Sequence, residues 1–498
     1  MQQSTSTAPL PVYSTNYSYN YSAPNWKKIR DCVAGERVIH DAGESYLPKL
    51  SAIQKELSYK AYKDRARFFN ATARTLSGWA GSIFRKAPDV NAPDAITPLL
   101  KDIDLAGTSF EELIDEATEE VLSIGRAGVL VEKQSGATGR AYMRLFDAEE
   151  ITNWATTVVD GQQVLAMVEL QYGVDQVSDD GLTVDCVLEK RVLKLVGGVY
   201  TQTISRSIQA GKFGTETTTT PTLKGAALRF IPFVFLSPKG TKPAIQEPPL
   251  LAIATTNVHH YRRSADLCHG LHLSALPTPY SINDTSDGEP IELGSGTFYN
   301  FKGNGVAVGF LEWSGAGLAA VRQDMQDMLA EMAALGAAYI TPPRRDAESA
   351  EALSLKNEAQ NSPLAKIASA VERGLSLALA WLCLWQGADD SAAAVRLNKD
   401  FDQTKLSASD LKTLSEALQS GGVTPDVYAH LLAAAEVLPP EMTAEKYAAQ
   451  LEGIKAQKDQ EKKDAAAQQM AQLEMQRQTT QKPADVPAPD DSNDVPTA

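Results

Sequence analysis

The stretch HHYRRSADLCHGLH, residues 259–272, holds four of the chain's six histidines and one of its four cysteines. Imidazole and thiolate are the commonest transition-metal ligands, so the first chemistry to weigh is a metal centre and metal-assisted hydrolysis. On one helix at 100° per residue, with His259 at 0°, His260 falls at about 100°, Cys268 at about 180°, His272 at about 220° and His269 at about 280°. The candidate ligands scatter round the axis. His269 and His272 are the closest histidine pair, and HxxH without a nearby third ligand does not close a zinc sphere. Asp266, three residues before His269, reads as its hydrogen-bond partner rather than a ligand. The expectation is no metal, no cofactor and a helix packed on several neighbours or lying between subunits.

Other catalytic signals are equally weak. The pairs Glu111–Glu112 and Glu119–Glu120 sit in an ordinary charged helix. Ser362 and Lys366 have the wrong spacing for a serine–lysine nucleophile. No glycine-rich dinucleotide fingerprint and no Walker lysine loop is present. The chain is not expected to be an enzyme.

The elements that carry these residues follow from periodicity and punctuation. Residues 26–86 read as helices, clearest over 59–86, where Phe68, Thr72, Leu76 and Trp79 recur at helical spacing. DVNAPDAIT at 89–97 reads as turns. GTSFEELIDEATEEVLSIG has Thr108 or Ser109 as helix cap, an apolar side of Phe110, Leu113, Ile114, Ala117, Val121 and Leu122, and Gly125 as its stop. Residues 140–240 turn strand-like, with Pro232 marking an edge or break and TETTTTPT a loop. This section predicts an antiparallel α+β domain. PPLLAIATTNVHHYRRSADLCHGLHLSAL is a helix of some twenty-five residues between prolines. A glycine-rich stretch with short strands follows over 280–312, then a helix over 320–340 ended by Pro342 and Pro343. Two helical pieces joined at Asn361–Ser362–Pro363, a strand VRLNKDF and small helices over 406–450 complete the pattern.

Composition bounds the rest. The chain has 498 residues, 43% hydrophobic and 22% charged, and a net charge of -15, which is ordinary globular protein. The cysteines are too dispersed for a disulfide framework, so a reducing compartment is expected. The opening MQQSTSTAPLPVYSTNYSYNY lacks the basic and apolar regions of a signal peptide. The apolar run at 375–385 is expected to be too short for a bilayer. Residues 27–86 hold thirteen Lys and Arg against six acids, a net of +7, so the remainder carries -22. That basic zone reads either as a solvated helical surface or as a patch for DNA or an acidic partner. Residues 1–24 read as a flexible arm and 455–498 as a disordered tail, helical at most in its first part.

Three pieces taken in order resemble the portal proteins of tailed bacteriophages, and more narrowly an uncharacterised portal-like subfamily. They are YKAYKDRARFFNATARTLSGWAGSIFRKAP (59–88), HHYRRSADLCHGLHLSALPTPY (259–280) and ESAEALSLKNEAQNSPLAKIASAVERGLSLALAWLCLWQG (348–387). The resemblance covers roughly residues 25–450. It implies the α+β portal fold, with helical stem, α/β wing, small β-containing clip and helical crown. The wing would take 25–249, the stem helices 250–275 and 319–341, and the clip 276–318. The tunnel loop, a long helix and the rest of the wing would take 342–404, and the crown 405–454. The function implied is a structural head–tail connector at one capsid vertex of the virion, assembled from chains made in the host cytoplasm. It is the channel for DNA packaging and ejection. The implied partners are identical subunits in a dodecameric ring, terminase, a head–tail adaptor, and the major capsid and scaffolding proteins. Double-stranded DNA would pass through without sequence-specific binding, and no membrane is involved. Twelve copies would carry roughly -180, which opposes a tight grip on phosphates. Arg344 and Arg345 are possible channel contacts, with capping of the preceding helix or pairing to Asp346 and Glu348 as the alternative. A different ring protein of a virion or secretion device, or a metal-dependent enzyme, are the competing readings.

Overall fold

The computed structural model describes residues 15–134, 139–177, 181–182, 184–209, 212–275, 278–285, 301–311, 316–337, 350–399, 401, 408–435, 437–439 and 442–480. It divides the chain into two units at Phe401 and Asp402. The architecture is α+β, with mixed helices and sheets.

Helix α1 (Tyr17–Ala34) starts inside the stretch expected to be a flexible arm. Asn16 caps it through Ser18 N–H. Asn16 N–H donates to Thr152 O at 2.9 Å, and Tyr19 Oη donates to Glu149 O at 2.9 Å. The polar residues that looked like disorder are therefore caps and tethers. Residues 1–14 lie outside the description. A short α2 (Glu36–Asp41) follows. The helix expected across 59–86 is two helices, α3 (Glu56–Arg65) and α4 (Ala71–Ile83). Asn70 caps the second, accepting from Ala73 N–H. Phe68 is buried in the link between them, while Thr72 and Leu76 are buried on α4.

Strand β1 (Asp89–Asn91) replaces the expected turn. Its partner is β15 (Ala394–Arg396), the part of the expected strand VRLNKDF that forms among the described residues. Helix α5 (Phe110–Ser123) opens on a reciprocal capping box between Ser109 and Glu112, and every residue expected on its apolar side is buried. Gly125 takes φ 78° just past its end.

Strands β2 (Ala127–Lys133) and β3 (Ala141–Asp147) begin the sheets. β4 (Ile151–Val159), β5 (Gln162–Val177), β6 (Val184–Val196) and β7 (Val199–Gln209) form an antiparallel meander, extended by β8 (Lys212–Phe213). The run TETTTTPT is not all loop. Thr217–Thr219 is β9, paired to β7. β-branched threonine suits a strand, and the Thr203 and Thr218 hydroxyls meet across the pair at 2.9 Å. β10 (Thr222–Leu223) and β11 (Ala226–Ala227) make a small hairpin. β12 (Phe233–Leu236) follows Pro232 as an edge strand in the order β12–β2–β3.

Helix α6 (Leu251–Ala275), strands β13 (Thr278–Ile282) and β14 (Ala307–Leu311), and helix α7 (Ala316–Met332) come next. The helix expected to reach Pro342 becomes a π-turn over Ala333–Ala337, with Gly336 at φ 113°. The two expected pieces after the prolines are one helix, α8 (Ala350–Gln386), with Pro363 inside it. Proline removes a single N–H from the ladder, and the flanking hydrogen bonds carry the helix through.

Pro363–Gln386 is also long and apolar enough to cross a membrane, against expectation. Its stripe Leu364, Ala368, Val371, Leu375, Ala378, Leu379, Leu382 and Cys383 is buried within the protein. The stripe packs on β2, β3, β12 and α5. Gly374 permits this approach, because a Cβ there would stand 2.1 Å from Leu236 Cδ2.

In the second unit, α9 (Ala408–Ser420) and α10 (Pro425–Ala434) precede α11 (Ala444–Thr480). Ala429, Ala444 and Ala448 form its small core with Ala433 and Tyr447. The first part of the expected tail, where helix was allowed for, is helical as far as Thr480; residues 481–498 lie outside the description.

Candidate functional site

Helix α6 is the element on which the chemically promising residues sit. Its first half is walled in: Ile253, Ala254, Asn257, Val258, His260, Tyr261, Ser264 and Ala265 are all buried. Neighbours α1, α3, α4 and α7 surround it. Its last residues, including Leu271 and Leu273, are exposed. The base is therefore embedded and the far end projects.

Polar side chains fix the embedded half. Asn257 is fully buried. Its Oδ1 accepts from Ala71 N–H, Thr72 N–H and Thr72 Oγ1–H at 3.1, 3.1 and 2.9 Å. Its Nδ2 donates to Phe69 O at 2.8 Å. Two of these are first-turn N–H groups of α4, that of Ala71 shared with Phe69 O at 2.7 Å, so one buried side chain both caps α4 and pins it to α6. Ser264 accepts from Arg67 N–H at 2.8 Å and donates to Arg67 O at 2.7 Å. Tyr62 Oη donates to Asp266 at 2.7 Å. Arg262 Nε donates to Tyr46 O at 2.7 Å.

The histidines do not converge. His259 and His272 are exposed. His260 is buried against Phe69, with ring centroids 6.1 Å apart, and burial lowers its pKa. His269 lies edge-on to Tyr62 at 5.4 Å. Its pKa is lowered by partial burial first, then by Arg65 and His272. Asp266 serves Tyr62 and Arg263 rather than His269. Among the described residues no group of three His, Cys, Asp or Glu comes together to hold a metal ion. The four cysteines are free thiols.

The buried charges lie elsewhere. Glu120, read from the sequence as part of an ordinary charged helix, is buried and takes both ends of the Arg30 guanidinium at 2.7 and 2.5 Å, while Glu149 holds Arg30 from another side at 3.0 and 2.9 Å. Burial pushes Glu120 up to about 7 against the pull of Arg30. Arg191 bridges Glu132 at 2.6 Å and Glu189 at 3.3 Å. Glu189 also accepts from Tyr172 and from Arg206. Arg126 is 2% exposed. Its guanidinium lies 4.0 Å from the Trp154 ring and 4.6 Å from the Phe235 ring, and its Nη1 donates to Pro243 O at 2.6 Å. These clusters knit helices to sheets. None sets a nucleophile beside a base.

The far end of α6 carries the more telling geometry. α7 returns antiparallel along it. Arg263 pairs with Asp324 at 2.8 Å, and seven residues further out Gly270 meets Leu318, six residues back. Between the helices, β13 and β14 form an antiparallel ribbon in the register Thr278–Leu311 to Ile282–Ala307. Tyr280 and Gly309 face each other, and the Tyr280 ring lies where a Cβ on Gly309 would stand, at 2.8–3.0 Å. Alternation puts Tyr280 and Ile282 on one face and Val308 and Phe310 on the other. These four side chains are 46, 52, 51 and 58% exposed. Residues 276–277, 286–300 and 312–315 of the expected clip lie outside the description. So do Arg344 and Arg345.

Asn257 had no signal in the sequence beyond being one of several polar residues, with His260 and Ser264, on the buried face of α6.

Residues 249–386 match a family described as a domain of unknown function, DUF4055. The match runs from just before α6 to the last residue of α8. No curated protein matches. Among solved structures, a chain in the neck of a native GTA particle computed with C12 symmetry is 16% identical at a TM-score of 0.36, covering 74% of this chain and 90% of that one. A chain in the neck of an empty GTA particle computed with C6 symmetry is 15% identical at a TM-score of 0.36, covering 87% and 97%. A TM-score of 0.36 is too low to establish a shared fold.

Proposed function

We propose that the chain is a structural subunit of a homo-oligomeric ring, a portal-type head–tail connector whose axial channel passes double-stranded DNA. The observation that carries this is the two-faced ribbon β13–β14 at the tip of the α6–α7 pair. A two-stranded ribbon is marginal alone in water. One with large apolar side chains on both faces gains cover from two directions, which is what a head-to-tail neighbour on each side supplies. The embedded base and projecting tip of α6 fit a stem that meets its neighbours beyond the body of the subunit. The resemblance of residues 59–88, 259–280 and 348–387 to portal proteins supports the same reading and gives it about twelve copies.

In this reading the acidic net charge keeps the channel from gripping DNA, and Arg344 and Arg345 steer phosphates weakly. Terminase and a head–tail adaptor dock on the ribbon end, and the ring sits at one vertex of a virion capsid. Native mass spectrometry with negative-stain microscopy tests it. Rings with a central hole are expected. A chain that stays monomeric or dimeric across salt and concentration sinks the proposal.

A further inference from the structure

We propose that the open edge of strand β4 is a docking site for one more strand, and that its occupant is residues 9–14 of the same chain. The inference does not depend on assembly, since site and occupant belong to one subunit.

β4 ends the six-stranded order, so one of its sides has no strand partner among the described residues. Edge strands are usually kept from pairing by charge, by proline or by being short. This one reads ITNWATTVV, nine residues without a charge or a proline. Ala155 through Val159 are exposed, Val158 at 69%. Which backbone groups face outward follows from the turn. Asp160 and Gly161, at φ 51° and 77°, make a two-residue loop, so Val159 faces its partner Gln162. Alternation then turns the N–H and C=O of Val158, Thr156 and Trp154 outward. Two observations agree. The Trp154 N–H donates to the neighbouring side chain, Asn153 Oδ1, at 2.9 Å. The carbonyl of Thr152, next in that series, accepts from Asn16 N–H at 2.9 Å.

That last bond brings one particular segment to the edge. Asn16 stands two residues beyond the segment 1–14, which lies outside the described residues. From Asn16 the edge runs two ways. Towards Ile151 it is buried, and towards Val159 it is exposed. The second has room, and it makes the added strand antiparallel. Counted from the Asn16–Thr152 bond, Ser14 comes opposite Trp154, Val12 opposite Thr156 and Leu10 opposite Val158. The sequence APLPVYS at 8–14 suits that register. Pro9 and Pro11 are two apart, so in a strand both missing N–H groups lie on one side. Leu10 and Val12 keep theirs on the other. A strand of this sequence pairs by one edge only, and the count from Asn16 turns that edge towards β4. Leu10 also brings an apolar side chain beside Val158. The prolines face outward and close the sheet to any further strand.

Hydrogen exchange on the full chain, with electron-transfer fragmentation to resolve single amides, tests this. Deleting residues 2–14 leaves Asn16 and α1 in place. It should speed exchange of the Thr156 and Val158 amides about tenfold and leave α1 and β5 as in the parent. Val12→Pro removes a donor that faces β4 and should approach the deletion. Tyr13→Pro removes one that faces away and should stay near the parent. Leu10→Cys with Val158→Cys, in a background of Cys186→Ser and Cys268→Ser, should oxidise to a disulfide within one chain, since directly opposed residues stand about 5.5 Å apart. Parent-like exchange of Thr156 and Val158 in the deletion would overturn the docking site. Equal acceleration by the two proline variants would overturn the strand, leaving a segment that only covers the edge. Disulfides between chains instead of within one would give the edge to a neighbouring copy and overturn the assigned occupant.

Discussion

Asn257 shows how much one side chain can hold. Removing it takes the buried partner from the Thr72 N–H and hydroxyl, and leaves Ala71 N–H and Phe69 O only the bond they make to each other. Asn257→Ala should cost about 2–4 kcal/mol, read as a lower urea midpoint at unchanged slope. Arg126 behaves in the opposite sense. Its charge is buried on two aromatic faces with no carboxylate among the described residues paired to it, and burial lowers its pKa. Replacing a buried charge by an apolar side chain of similar volume is often neutral or stabilising. Arg126→Met is therefore expected to leave the melting temperature unchanged or raise it, while Arg126→Ala lowers it by opening a cavity. A large loss in Arg126→Met would show that the cation itself holds Trp154 and Phe235 in place. His260 sets a pH dependence. Its folded pKa lies below the unfolded value near 6.5, so the folded state binds fewer protons in that window. Its contribution is fully present above about pH 6.5 and falls as the pH drops from there towards the folded pKa. Urea midpoints at pH 7.5 and 5.5 should differ less in His260→Phe than in the parent.

Elements with short-range causes were legible, and those with long-range causes were not. α5 could be read whole, since its capping box, apolar side and glycine stop all lie within seventeen residues, 109–125. α6 was bounded by its prolines, and the scatter of its histidines round the axis already pointed to many neighbours. β1 could not be read, because its partner β15 lies three hundred residues away. The joint expected at Asn361–Ser362–Pro363 failed for a similar reason. Proline's local preference gave way to a helix whose following turns are buried against β2, β3, β12 and α5. The charge clusters were invisible because Glu120 and Glu132 look like any other surface glutamates until Arg30 and Arg191 arrive from other elements. At the ribbon, Val308→Asp with Phe310→Asp should leave the circular dichroism of the chain unchanged and lower the fraction of rings seen by native mass spectrometry at least tenfold. Rings of unaltered abundance would remove that face from the interface.

At the scale of the whole molecule, the basic zone at 27–86 lies within the larger unit, around the base of α6, and is partly spent on internal pairing through Lys27, Arg30 and Lys49. The chain as a whole stays acidic. If DNA slides through an assembled ring without being gripped, retention of a short duplex by purified rings should be weak at physiological salt and should not vary with its sequence. Tight, sequence-dependent retention would contradict the channel reading. The burial of α8 has a consequence for biosynthesis. The sheet it covers contains β2, which leaves the ribosome about 250 residues before α8 is finished. At ordinary rates of translation that is an interval of about 10–50 s in which one apolar face of the nascent domain has no cover. The same stripe, read without its sheet, is long and apolar enough to pass for a membrane segment. Newly made chains should therefore engage chaperones until residue 386 emerges, and fragments ending before α8 should aggregate while fragments ending at 401 should not.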